Sequence, residues 1–400
     1  MMPAKFPDKD LFFARAYYFA YMGGWGFILP FINLFYVSLG LSGAQIGTIG
    51  SLSAIVSLIV SPIVVTEIKK SSRARAILQL CLLLGAAGYF LLGQQTVFTA
   101  ILVLIFFHTM VTAGVMPTSD SMAVSVAQQT GSGYGSVRVW ASVGWIVSVL
   151  SAGWLIERFD FVAGFLGVAL MWILGAGLVL FIRPDYFIAR QDIELSRPSL
   201  QTAITRILRD RTLLGFGIAV ILIGFLNNGV LQFENVFLAE LGASKQLISV
   251  AGILSAIVEL PFMIVADRFV RRAGPHHVMV LAMAMIFFQR AAVLFFPSIA
   301  AIMIVRFLGG VSFSFYTISY VSLISSRTSA SETGTVLALY TVTLSGLVNM
   351  LAAPISGLLF DAIGARWLYA LAMTGYAVGA LVLWISKPSM AASPDLAVTN

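Results

Sequence analysis

Apolar positions in this chain come in long unbroken runs. They show neither the alternation of a half-buried strand nor the single stripe of a surface helix. Twelve runs stand out: 12–37, 45–66, 76–93, 97–122, 138–156, 162–182, 213–239, 247–266, 278–296, 299–325, 334–357 and 367–386. A helix needs about 20 mostly apolar residues to cross a bilayer, so each run predicts one transmembrane helix. Twelve such helices use roughly 240 residues of the 400 and leave only short connections. That leaves no room for an extramembrane catalytic domain. The first run is too long for a signal-peptide core and lacks a small-residue cleavage pattern after it, so it is expected to be retained.

Composition narrows the class. The chain is 59% hydrophobic and 10% charged, with a mean hydropathy of +0.96. Soluble proteins average about 45–50% and 25%. A soluble fold of this size could not hide so many apolar residues, which excludes a soluble enzyme, a disordered chain and a secreted disulfide scaffold. The one cysteine, Cys81, can form no internal disulfide. The longest polar stretch, 183–212, divides six runs from six. The expected organisation is a six-helix half at 1–182, a cytoplasmic loop at 183–212, a second half at 213–386 and a cytoplasmic tail at 387–400.

Charge sets the orientation. With the N-terminus inside, one side collects eighteen Lys and Arg: Lys5, Lys9, Arg15, Lys69, Lys70, Arg73 and Arg75 early on, six arginines from Arg183 to Arg211, then Arg268, Arg271, Arg272, Arg327 and Lys387. The other side has three, Arg158, Lys245 and Arg366. The positive-inside rule then puts both termini in the cytoplasm. The net charge of +7 is mostly this bias, so no nucleic-acid partner is implied.

The halves are related. Shifted by 202 residues, 33–56 matches 235–258 at twelve of twenty-four positions, among them Asn33, Gly40, Ser42 and Gly50 and the pentapeptide Leu52-Ser53-Ala54-Ile55-Val56. Apolar composition alone would not bring Asn, Gly and Ser into register. Both copies begin at a cytoplasmic end, so they are parallel repeats about an axis along the membrane normal. A transporter with its ligand site between two six-helix halves has that arrangement.

Ionisable residues inside a membrane are expensive, and so are functional candidates. Here they are His108, Asp120, Arg138, Glu234, Glu259, Arg290 and Arg306. Asp120 follows Pro117, and its carboxylate could accept from a ligand hydroxyl or pair with Arg138 across a short loop. Arg138 offers a planar fork of donors, and Trp145 lies two turns along the same face. Asn228, Gln232 and Asn235 share one face of the seventh run, with amides that both donate and accept. Glu259 is mid-span before Pro261. Desolvation favours its protonated form and a nearby arginine such as Arg290 opposes it, which suits a proton carrier. Arg306 reads as a counter-charge, Glu234 as an outer-end residue and His108 as a packing residue. Histidine and cysteine spacing gives no metal site, and no phosphate loop implies a nucleotide, so no cofactor is expected.

These motifs resemble the major facilitator superfamily, in particular the branch of lactose permease, nucleoside–proton symporters and phenylpropionate permeases. The local match is Pro117-x-x-Asp120, then Tyr134-Gly135-x-x-Arg138-x-Trp140-x-Ser142-x-Gly144-Trp145, and Gln232-Phe233-x-Asn235-x-Phe237 in the seventh run. The resemblance implies that Asp120 and Arg138 hold the substrate, that Trp145 stacks on it, and that Glu259 and Arg290 match family positions in the eighth and ninth spans. The tenth span departs: it reads Arg306, Gly309 and Ser312, without the carboxylate that carries the proton in lactose permease. The basic motif after the second span is reduced to Glu67-Ile68-Lys69-Lys70, and the fifth span lacks the proline of drug antiporters.

The expectation is an all-α membrane protein of twelve helices in two parallel pseudo-repeats, the major facilitator fold. It would be a monomeric inner-membrane importer, driven by protons, of a small organic solute: an aromatic acid, a nucleoside or a sugar. Asp120, Arg138, Trp145, Asn228, Gln232 and Asn235 would bind it, with Glu259 and Arg290 in proton coupling. Drug or metabolite efflux is the second reading, and a non-transporting membrane receptor or enzyme the third.

Overall fold

The computed structural model describes residues 7–71, 73–187 and 200–387. Lys5, Arg190 and Arg197, much of the expected central loop and nearly all of the expected tail lie outside the described residues. Twelve spans form: α1 (Lys9–Ser38), α2 (Gly43–Ile68), α3 (Ala74–Leu92), α4 (Phe98–Gln129), α5 (Gly135–Phe159), α6 (Phe161–Val179), α7 (Arg211–Glu240), α8 (Lys245–Ala273), α9 (Pro275–Phe295), α10 (Ile299–Ser325), α11 (Ser331–Ile363) and α12 (Ala365–Ile385). Most helices run past the apolar stretch that predicted them. The run ending at 122 becomes a helix to Gln129, and the one ending at 266 a helix to Ala273. Backbone hydrogen bonding continues into the polar boundary, where hydropathy no longer reports it. The central loop carries a further short helix, Leu200–Arg209, tied down by Arg206 donating to the Arg327 carbonyl.

Among the described residues four spans are interrupted. α1 breaks at Leu29–Phe31, where Pro30 removes a donor from the ladder. α4 breaks at Ala113–Gly114, between the helices Phe98–Thr112 and Val115–Gln129. α8 bends by 44° between Glu259 and Pro261, again a proline effect. α11 contains a π-helical segment, Leu339–Leu344, the kind of interruption often found at functional sites.

Packing repeats under a six-helix shift. In the first half α1 packs on α5 and α6, α3 on α6, and α4 on α2 and α3; in the second, α7 packs on α11 and α12, α9 on α12, and α10 on α8 and α9. Across the seam α2 meets α11, α8 meets α5, and α7 meets the end of α1. Small residues let these backbones approach. A side chain on Gly47 would strike the Ala353 carbonyl, and one on Gly153 would strike Ser249.

The turns after α1 and α7 show the repeat in atomic detail. Gly40 and Gly242 both take positive φ, at 77° and 88°, a conformation glycine adopts without strain. Ser42 and Ser244 then cap α2 and α8, accepting from Gln45 N and Leu247 N. These turns define one face of the molecule, the turn face; the termini define the other. Large exposed apolar side chains, such as Leu170, Leu231 and Phe288, stud the flanks of the bundle and suit a lipid surround.

Candidate functional site

A cavity of about 800 Å³ lies between the halves, lined by α1, α2, α3 and α4 and closed by Gln232 of α7 and Asn349 of α11. A smaller groove of about 240 Å³, among Ile204, Leu208, Ile218 and Leu344, offers almost no polar group and suits lipid rather than a polar solute.

One wall of the larger cavity is aromatic. Tyr21, Trp25, Tyr89 and His108 line it, and all four make ring contacts with Trp172, which is fully buried behind them. Trp172 Nε1 donates to the Tyr21 carbonyl at 3.2 Å. Gly24 and Gly85 make room for that indole, and Gly88 makes room for His108. The wall is therefore fixed before any ligand arrives.

Asp120 lines the cavity, but its partner differs from the expected one. Its Oδ1 accepts from Tyr18 Oη at 2.6 Å and Tyr134 Oη at 3.0 Å, and it forms no ion pair with Arg138. Tyr18 of α1 and Tyr134, at the foot of α5, occupy Oδ1 instead. Asp120 Oδ2 takes no protein donor among the described residues. Arg138 and Trp145, both half-buried, make no side-chain hydrogen bond or ring contact among the described residues and do not line this cavity.

The three amides of α7 behave differently from one another. Gln232 donates to Asn228, which donates to Asn349 Oδ1 at 2.7 Å. This chain crosses to α11, and Gln232 and Asn349 reach the cavity. Asn235 turns to the seam, where its Nδ2 donates to the Pro30 carbonyl at 2.8 Å. Asn33 donates to the Gln232 carbonyl at 2.7 Å. Asn33 and Asn235 are repeat partners, and so are Pro30 and Gln232, so the two bonds form a reciprocal clasp about the pseudo-two-fold axis.

A second pair of cross-half contacts sits on the turn face. Asp361, at the end of α11, accepts from Gly43 N and Ala44 N at the start of α2. Glu157, at the end of α5, accepts from Lys245 N at the start of α8. Gly43 and Lys245 are again repeat partners. Each carboxylate satisfies orphan donors and the positive end of a helix dipole. The sequence reading missed both clasps, although the repeat had aligned Asn33 with Asn235.

The buried charges of the second half form one cluster. Glu234 Oε2 pairs with Arg306 at 2.6 Å, and its Oε1 meets Arg290 at 3.6 Å and Tyr369 Oη at 2.8 Å. Arg290 also donates to Asn227, and Arg306 to Asn235. Arg306, expected as a counter-charge, pairs with Glu234. Glu234, read as an outer-end residue, is 11% exposed and sits at the centre of these ion pairs. Arg290 pairs with Glu234 and not Glu259, and depth separates the two carboxylates. From the turn face, Glu234, Arg290 and Arg306 lie six, five and seven residues deep, about 8–10 Å, while Glu259 lies fourteen deep, about 21 Å. The Glu259 carboxylate has no hydrogen bond or ion pair among the described residues; Ser314 donates to its backbone carbonyl.

Comparison with known proteins fits this geometry. The model of the MFS_1 like family matches residues 12–371. The maltose permease of Geobacillus stearothermophilus is 29% identical over 276 residues, which is 66% of this chain and 66% of that permease. The Bacillus subtilis (strain 168) transporter YwbF is 24% identical over 360 residues, covering 89% of this chain and 88% of its own. The crystal structure of the nucleoside transporter NupG superposes with a TM-score of 0.78 at 18% identity, over 94% of this chain and 98% of that one. With twelve apolar spans in two parallel repeats packed about a central cavity, the chain is a membrane transporter of the major facilitator type rather than an enzyme, and it belongs to the MFS_1 like family.

Proposed function

We propose that the protein imports a small organic solute, an aromatic acid, nucleoside or sugar, together with protons by alternating access. The observation that carries this reading is the central cavity, joined across the seam by two repeat-related sets of contacts on one face. Rocking of the halves would break those contacts and open the cavity on that face. The relatives in maltose and nucleoside transport support a solute of this size.

Both termini are assigned to the cytoplasm by the charge count, so the turn face is the outer one and the state described is closed to the outside. The protein works as a monomer in the inner membrane, because the cavity is built within one chain. Asp120, Gln232 and Asn228 serve the ligand from the cavity and its amide relay. Arg138 and Trp145 do not line the cavity in this state and would reach the ligand only after the halves rock, and Asn235 serves the seam. Glu259 carries the proton: it is mid-span, its carboxylate has no partner among the described residues, and it sits at the proline bend of α8. Glu234 is unsuited to that role, because Arg290, Arg306 and Tyr369 already engage its carboxylate.

The test is uptake into proteoliposomes of labelled maltose, uridine and 3-phenylpropionate under an imposed proton gradient. Accumulation of one of them above equilibrium, abolished by collapsing the gradient, is the expected result. Equilibration without accumulation would make the protein a uniporter, and gradient-driven expulsion would make it an exporter.

A further inference from the structure

Two buried polar atoms of residues lining the main cavity have no hydrogen-bond partner among the described residues: Trp25 Nε1 and His108 Nε2. Buried polar groups are nearly always satisfied, and an orphan asks for an explanation. The other unpartnered atoms, such as those of Thr118, Ser136 and Ser148, belong to residues that do not line this cavity. The two orphans share one wall and both contact Trp172, which sits against Gly24 and Gly85, while Gly88 abuts His108.

We infer that Trp25 and His108 read the substrate in this cavity, and that the substrate is a neutral solute with several hydroxyls and one apolar face, of the sugar or nucleoside class. This rests on the transport reading above and narrows it. An indole N–H can only donate, so it asks for an oxygen or a ring nitrogen. An imidazole nitrogen with no carboxylate beside it donates or accepts according to tautomer, which a hydroxyl can answer either way. Asp120 Oδ2 can only accept, so it asks for a ligand hydroxyl. Gln232 and Asn349 face this wall across the seam with both kinds of group. The Trp25 ring, half-buried at the cavity wall, suits a sugar's C–H face or a flat heterocycle.

Charge decides against the acid. Asp120 is the one charged side chain lining the cavity among the described residues. A carboxylate solute would meet a like charge with no lining cation, at low dielectric where repulsion is strong. Arg290 and Arg306 are already engaged by Glu234, outside the cavity wall.

The experiment is a thermal-shift titration of the purified full chain with uridine, maltose, 3-phenylpropionate and benzoate. At least one neutral probe should stabilise the protein and neither acid should. Trp25→Phe and His108→Leu should each weaken that probe's binding about tenfold, the usual loss for one well-placed hydrogen bond. Both should leave the unliganded melting temperature unchanged or higher, because each removes an unsatisfied buried group. A purely structural role would instead lower unliganded stability and leave affinity alone. Stabilisation by an acid, by none of the four probes, or equally in wild type and both variants overturns the inference. Gradient-driven uptake of 3-phenylpropionate would overturn this ligand class while leaving the transport reading intact. A neutral probe bound through Trp25 yet never moved across the bilayer would do the reverse.

Discussion

Two glutamates separate structural from coupling roles at the scale of single residues. Glu259 is unpartnered and Glu234 is held by two arginines and a tyrosine. Glu259→Gln mimics the protonated form, so it should abolish accumulation against a gradient yet leave exchange between two filled sides. If the mutant still drives uphill uptake, the proton travels elsewhere, and Asp120 is the next carboxylate to replace. Glu234→Gln should act on the fold instead. Removing one partner of a buried ion pair destabilises by about 3–5 kcal/mol, so its unfolding midpoint should fall well below that of Glu259→Gln. Equal midpoints for the two variants would contradict the cluster's role. The residue types were legible in the sequence, but their partners were not. Spacing along one helix tells which side chains share a face. It does not say which neighbour that face meets. Counting depth from each helix end would have grouped Glu234, Arg290 and Arg306 and set Glu259 apart. Trp25 gave no signal, because an indole in an apolar run looks like any other packing residue.

Closure at the scale of helices depends on backbone approach at the α2–α11 and α5–α8 crossings. Gly47 is the most sensitive point, since any side chain there meets the rigid Ala353 carbonyl. Gly47→Ala should hold the turn face open: ligand would still bind, but transport should drop at least tenfold. Normal transport by that variant would mean that the crossing does not close tightly during the cycle. The spans themselves were legible because each is a run of about 20 apolar residues, and the repeat was legible because Asn, Gly and Ser matched in register. The helix extensions were not, since a polar boundary residue can remain in the backbone ladder. The clasps lay between these two levels. The alignment of Asn33 with Asn235 was visible, but that each reaches the other half's backbone follows only from the way α1 breaks at Pro30.

For the whole molecule, orientation and motion remain to be tested directly. A reporter fused after Lys387 that is active only in the cytoplasm should be active, because the sequence count assigns eighteen basic residues to the cytoplasmic side; activity only of an exported reporter would invert the cavity and the direction of transport. Alternating access is the central claim, and paired distances test it. In a Cys81→Ser background, spin labels at positions 48 and 358 report the turn-face ends of α2 and α11, and labels at 66 and 331 report their opposite ends. Pulsed electron–electron resonance across a pH series should show two populations for each pair, the turn-face distance lengthening as the terminus-face distance shortens. A single distance at every pH, or two distances that lengthen together, would contradict rocking of the halves about the central cavity.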